Sequence, residues 1–171
     1  MRGFIWKFPV QTTKSALAFR QEFFSSGEPV IFGSELLDQT ERYEDWLDGV
    51  TKNADPETVS PGWVRTDTFF AVDGEDELVG IIDLCHTLND FLADLGNCGY
   101  SVRPSQRQKG YAGQMLRQVL DRAKEVRLTA LHISVERENI PSVKVIKSNG
   151  GVYQCSFTHE GQQADIYAFR I

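Results

Sequence analysis

Few cysteines, no long apolar run and no nucleotide-binding glycine motif mark this 171-residue chain. Cys85, Cys98 and Cys155 are odd in number and far apart, with no Cys-x-x-Cys pair. That pattern argues against a secreted disulfide framework and for reduced thiols in a cytoplasm. No uninterrupted apolar stretch reaches the roughly 18 residues of a membrane span, so no membrane is expected as a partner. The start, MRGFIWKFPVQTT, lacks the apolar core and cleavage site of a signal peptide. Gly-x-Gly-x-x-Gly is absent, and Lys109-Gly110 inverts the Gly-Lys-[Ser/Thr] order of a phosphate loop, which sets aside dinucleotides and ATP hydrolysis. A net charge of −6, with no basic, aromatic-studded strand, argues against nucleic acid. There is no internal repeat, low-complexity tract or linker, so residues 1–171 are expected to form a single domain. With 41% apolar residues, such a chain needs neither disulfide nor metal to stay folded.

What is present is an alternation of helix and strand signals. FIWKF reads as a short first strand. TKSALAFRQEFFSSGE carries apolar residues near helical spacing and stops at Ser-Ser-Gly. TERYEDWLDGV reads as a second helix, with Thr40 as its N-cap and acid in its first turn. After a polar loop, TFFAVDGEDELVGIIDLCH reads as a hairpin turning at Asp73-Gly74. NCGYSVRP is a further strand, ended by Pro104. Ala112, Met115, Leu116, Val119, Leu120 and Ala123 then make one apolar helical stripe. LTALHISVE alternates as a strand should. NIPSVKVIKSNGG is a short helix with Asn139 as N-cap, closed by Gly150-Gly151. VYQCSF and ADIYAFRI form a last hairpin. The order predicts an α/β fold: a mixed, mainly antiparallel central sheet flanked by helices, with one β-α-β crossover.

The crossover passes through YSVRPSQRQKGYAGQMLRQVLDRAKE. Arg103, Arg107, Lys109, Arg117, Arg122 and Lys124 lie in it, against Asp121 as the only acid from 103 to 124. A helix start leaves N–H groups unpaired and carries roughly half a positive charge. Gly110 removes a side chain where oxygens would approach, and Arg107 and Lys109 add charge. The junction therefore suits a phosphate or pyrophosphate. An ordinary helix cap with solvated charges is the alternative reading of the same residues.

RQKGYA also matches the [Gln/Arg]-x-x-Gly-x-[Gly/Ala] signature of the Gcn5-related N-acetyltransferases (GNAT), which use acetyl-CoA. The setting strengthens it: GYSVRPSQRQKGYAGQML gives strand, turn and helix in order, and VERENIPSVKVIKSNGG follows the next strand. The chain thus resembles a GNAT enzyme over roughly residues 3 to 171, and especially a bacterial subgroup whose acceptors are mostly unassigned.

The resemblance implies a splayed strand pair, with Tyr100, Ser101 and Val102 on the splayed strand and the Val102 backbone bonding the pantetheine arm. The amides of Gln108, Lys109, Gly110, Tyr111, Ala112 and Gly113 would wrap the pyrophosphate, flanked by Arg107 and Lys109. Asn139 and Ser142 would meet the pantetheine or the acetyl end, beside the capping role of Asn139. It implies direct attack of an amine on the thioester and a backbone N–H near Val102 for the oxyanion. An ammonium with pKa near ~10 must first lose a proton to a base or a water path. Many members place a tyrosine seven residues after the asparagine as the acid; here that position is Ile146. Asp83, His86 and Tyr100 are the substitute candidates, while Glu136 and Glu138 are solvated loop carboxylates or amine contacts. Tyr43, Trp46, Phe23 and Phe24 sit where the family builds a wall of the acceptor site, with core packing accounting for three of the four. No cysteine has a base at a readable spacing, which argues against an acyl-enzyme. The implied activity is acetyl transfer to a primary amine of a small molecule or peptide. The alternative is a non-catalytic acetyl-CoA-binding regulatory module. No metal is implied. The oligomeric state is left undecided, with a homodimer common in the family.

Overall fold

The computed structural model describes the backbone of Ile5–Lys7 and residues 13–171. The strand expected in FIWKF is there as β1 (Ile5–Lys7), while Phe4 and Phe8 lie outside the described residues. Next come α1 (Thr13–Ser25), α2 (Tyr43–Ala54) and the hairpin β2 (Thr66–Val72) and β3 (Leu78–Cys85). The crossover is β4 (Tyr100–Val102), α3 (Tyr111–Glu125) and β5 (Ala130–Glu136). α4 (Ile140–Ser148), β6 (Val152–His159) and β7 (Gln162–Arg170) complete the chain.

The strands form two antiparallel sheets, ordered β1-β2-β3-β4 and β5-β7-β6. The α/β architecture is therefore as read, with the expected single sheet divided at the crossover. Among the described residues β4 and β5 share no ladder. The chain just before β4 meets β5 at one bridge, Gly96 to Ile133, supported by Asn97 N–H on the His132 carbonyl at 2.7 Å. Above that point the strands part, which is the expected splay.

Both faces of the β2–β3 hairpin are covered, so every residue of both strands is buried. Phe70, Val72 and Ile81 pack under α1 and α2, beside Phe19, Phe23, Tyr43 and Trp46. Phe69, Ala71, Ile82 and Leu84 pack under α3, whose Met115, Leu116, Val119 and Ala123 are buried as the stripe requires. Burying side chains of this size stabilises by roughly 1.5–3 kcal/mol each, and two such layers fix the hairpin between them. Phe24 stays 38% exposed. Three of the four aromatic residues flagged in the first helices are thus core.

Two local expectations need correction. Thr40 does not cap α2: its hydroxyl donates back to the Leu36 carbonyl at 2.8 Å, and the helix starts at Tyr43 after an extended Arg42. A chain still turning at Thr40 cannot offer that side chain to the helix. In the β2–β3 turn the left-handed residue is Asp76 (φ 62°) rather than Gly74. The Asp73 carboxylate sets the turn instead, accepting from the N–H groups of Glu75 and Glu77 at 2.9 Å each.

Candidate functional site

β4 has one paired edge and one unclaimed edge. Arg103 N–H donates to the Val79 carbonyl at 2.8 Å, and the Gly99 carbonyl accepts from Asp83 N–H at 3.1 Å. Odd-numbered residues therefore face β3, and strand alternation turns the N–H and C=O groups of Tyr100 and Val102 into the splay. This is the edge on which the resemblance places the pantetheine arm. The Val102 carbonyl accepts from Arg107 Nε at 3.2 Å.

Beyond β4 a single 3-10 turn (Pro104–Gln106) leads to Gln108 (φ 63°) and Gly110 (φ 84°), both left-handed. They fold the chain so that α3 starts pointing at the splay. The first helical bond runs from Gln114 N–H to the Gly110 carbonyl at 3.2 Å. Amides ahead of Gln114 thus have no acceptor within the helix and carry its positive end. The space at Gly110 is open, since a Cβ there would lie 3.9 Å from its nearest neighbour, so its φ rather than crowding requires glycine.

The two cations of the junction are placed otherwise than their sequence positions suggest. Arg107 forms a bidentate pair with Glu28, at 2.8 and 2.6 Å, and lies 5.8 Å from the Phe23 ring centroid. Its guanidinium holds the Glu28 carboxyl below its usual range. Arg107 therefore ties α1 to the junction and is no free cation flanking an anion, because Glu28 reaches it from across the chain. Lys109 is held only by Gln106 Oε1, at 2.7 Å on the surface. Arg103, between Glu22 and Glu77, is likewise structural.

Across the splay stands the start of α4. Asn139 caps it as read, its Oδ1 accepting from Ser142 N–H at 3.3 Å. Ser142 Oγ in turn accepts from the Tyr100 hydroxyl at 3.2 Å. Burial pushes the Tyr100 phenol up to about 12. Ile146 is fully buried in the core under α3, so that position is a packing one.

On its other face β3 borders, through Asp83 and Cys85, a cavity of about 480 Å³. The loop between α1 and α2 forms much of it and presses on β4. A Cβ on Gly33 would lie 2.1 Å from the Gly99 carbonyl oxygen, and Ser101 Oγ donates to the Phe32 carbonyl at 2.9 Å. Trp46 Nε1 holds the same loop through the Ser34 carbonyl at 2.7 Å. The loop is forced left-handed at Glu35 (φ 50°) and Leu36 (φ 70°), a costly conformation for side-chain-bearing residues. It brings the Glu35 carboxyl to Asp83 on the cavity wall.

Asp83 and Glu35 hydrogen-bond to each other, and Asp83 also accepts from Gly99 N–H at 2.6 Å. Burial, then the Glu35 charge, raise the Asp83 carboxyl well above its ordinary value, and burial raises Glu35 as well. Both carboxyls thus bind a proton more readily than free ones do, Asp83 the more strongly shifted of the two. Glu35 Oε2 is buried, and no N–H or hydroxyl among the described residues reaches it. Sequence reasoning missed Glu35 and Gly33, whose only signal was their place in the loop between the first two helices. None of Phe23, Phe24, Tyr43 and Trp46 lines the cavity.

His86 is not part of this arrangement. Its Nε2 lies 3.0 Å from Asp67 Oδ2, which also accepts from Arg122 Nε at 2.9 Å. Asp67 pairs with Leu84 in the ladder, on the α3 face, whereas Asp83 faces the cavity. One residue of register separates the two faces, so Asp83 on β3 and His86 just past its end come to opposite sides. Cys85 and Cys98 are buried and burial pushes both thiols up, which holds them protonated and non-nucleophilic.

With this geometry in place, a family model described as the acetyltransferase (GNAT) domain matches residues 12–152. The search of curated proteins finds no match. Among solved structures, the chain is similar to the ribosomal-protein-S5-alanine acetyltransferase from Vibrio fischeri, with TM-score 0.74, 14% identity and coverage of 99% and 94% of the two chains. It is similar to the dodecameric spermidine N-acetyltransferase from Vibrio cholerae, with TM-score 0.67, 14% identity and coverage of 98% and 93%. A third is yncA from Salmonella typhimurium with its cofactor acetyl-CoA, with TM-score 0.64, 12% identity and coverage of 98% and 93%. At such identities the likeness is one of fold. No helix among the described residues is long and apolar enough to cross a membrane.

Proposed function

Because the chain belongs to the GNAT acetyltransferase family, we propose that it moves an acetyl group from acetyl-CoA directly onto a primary amine held beside Asp83 and Glu35. The observation that carries this reading is the double use of the β4 segment. One edge turns the Tyr100 and Val102 backbone into the splay, and Gly99, just before the strand, donates its N–H to Asp83 on the wall of the cavity that holds the two carboxyls.

The residues present fit acetyl-CoA. Val102 and Tyr100 offer main-chain groups to an extended arm. The amides from Gln108 to Gly113, at the positive end of α3, suit a pyrophosphate, and Lys109 adds charge at the rim. Asn139 and Ser142 border the far side. When bound, acetyl-CoA supplies the activated acetyl thioester.

The chain's own groups supply proton handling. An acceptor arrives as an ammonium and must lose a proton. Glu35, the less strongly shifted of the two carboxyls, is the base, and Asp83 keeps it in place through the hydrogen bond between them. Tyr100, with its phenol pushed up to about 12, stays protonated at neutral pH and, by turning its proton away from Ser142 Oγ, donates a hydrogen bond toward a developing thiolate. The position of Ile146 is thereby served from the other side of the splay. No acyl-enzyme is needed, since the buried thiols are held protonated.

The test is thermal unfolding with acetyl-CoA, CoA and ATP side by side, followed by thiol release with an amine. Ligand at a hundred times its Kd stabilises by ~2.7 kcal/mol, a rise of roughly 5–11 °C for a chain of this size. The expected result is a rise with both CoA species and none with ATP. No rise with either CoA species would overturn the reading.

A further inference from the structure

The cavity beside Asp83 is acidic inside and apolar at its mouth. Its lining includes Glu35, Asp38 and Asp83 and, among the described residues, no Lys, Arg or His. Three aromatic side chains of that lining face water to an unusual degree: Trp63 is 43% exposed, Phe32 56% and Phe91 77%. They come from three separate segments: the loop between α1 and α2, the approach to β2, and the loop between β3 and β4. Single exposed apolar residues need no explanation, but three converging on one cavity form a patch that a ligand would cover.

We propose that the amine acceptor is an arylalkylamine: a primary amine on an apolar, ring-bearing body that carries no carboxylate. The proposal rests on the reading of acetyl transfer to an amine. Glu35 Oε2, buried and reached by no N–H or hydroxyl among the described residues, is where an ammonium gains most, since a buried carboxylate without a donor is costly. A ring behind that ammonium lies against Trp63 and Phe91, removing apolar surface from water on both sides. Cavities of roughly 300–1,000 Å³ hold small ligands, and this one is of that order at about 480 Å³.

The same lining disfavours other amines. A free amino acid would bring its carboxylate against Glu35, Asp83 and Asp38 with no cation in the wall, and like charges at short range repel. A polyamine would bring its second ammonium to Phe32, Trp63 and Phe91, where ring faces attract it but its thin chain covers little of the three rings' apolar surface. The third acid of the lining, Asp38, already accepts from Ile31 N–H at 3.0 Å. An aminosugar would strand its hydroxyls at the apolar rim, where burial without a hydrogen bond is unfavourable.

The experiment follows thiol release from acetyl-CoA with 2-phenylethylamine, phenylalanine, methylamine, spermidine and a short peptide, with calorimetric binding of acetyl-CoA alone in parallel. The expected kcat/KM for 2-phenylethylamine exceeds that for phenylalanine and for methylamine by about 100-fold, and that for spermidine and the peptide by about tenfold. Trp63→Ala raises KM for 2-phenylethylamine about tenfold and leaves the Kd of acetyl-CoA unchanged. Phe91→Ala, at a more exposed position, does the same in smaller measure. If acetyl-CoA binds and another amine or the peptide is preferred, or no amine is consumed, this inference falls and cofactor binding stands. If acetyl-CoA does not bind, the acetyltransferase reading falls first and takes the inference with it.

Discussion

The Tyr100 hydroxyl donates to Ser142 Oγ at 3.2 Å, joining β4 to the first turn of α4 across the gap where the two sheets part. Tyr100→Phe keeps the ring in its packing against the α3 core and deletes only this donor. We expect kcat to fall about 100-fold, with the Kd of acetyl-CoA and the unfolding midpoint little changed. Wild-type kcat in Tyr100→Phe would remove the tyrosine from the proton path. The pH profile should also lack a tyrosine limb below pH ~10, since burial has moved that phenol upward.

The Asp83–Glu35 pair makes stability depend on pH in a definite direction. Both carboxyls are raised in the folded chain, so their contribution is fully present below the ordinary carboxylate values of 3.8 and 4.5. It is lost as pH rises through the raised ones, because the folded state must then hold two buried charges. Asp83→Asn preserves the bond from Gly99 N–H and the donation to Glu35 while removing one charge. Thermal unfolding across the acid-to-alkaline range should show a flatter profile for Asp83→Asn than for wild type, with the variant the more stable at the alkaline end. Parallel stability profiles would rule out the raised Asp83 carboxyl.

Gly33 is held by backbone on β4. A Cβ there would lie 2.1 Å from the Gly99 oxygen and 2.8 Å from Tyr100 N, at a φ of 72°. Gly33→Ala should lower stability by more than about 2 kcal/mol in denaturant unfolding and weaken acceptor turnover with it. Gly62, at φ 81° with nothing within 4 Å of a Cβ, is the control. Its alanine variant should cost only about 1 kcal/mol. Equal costs would mean that the loop does not press on β4.

His86 belongs to a structural network. With Asp67 2% exposed and contacted by both Arg122 and His86, Asp67→Asn should destabilise by about 2 kcal/mol. For a chain of this size that lowers Tm by roughly 4–8 °C. His86→Ala should change kcat by less than about threefold. A loss of several hundredfold in the folded His86→Ala protein would return the histidine to the chemistry.

By itself the sequence determined what is local. The α3 stripe, the Asn139 cap, the last hairpin and the strand–turn–helix of the signature all depend on residues within a few positions of one another, where periodicity and capping operate. The GNAT resemblance was legible for the same reason, being carried by one contiguous stretch around RQKGYA. The tertiary structure alone decided what distant residues do to one another. Arg107 looks like an anion ligand until Glu28, 79 residues away, takes its guanidinium. Asp83 and His86 are equal candidates in the sequence until the strand register sends them to opposite faces of the sheet. Glu35 carries no motif at all. It becomes the counterpart of Asp83 because Gly33 lets one loop rest on β4, a contact between backbones that no spacing of side chains encodes.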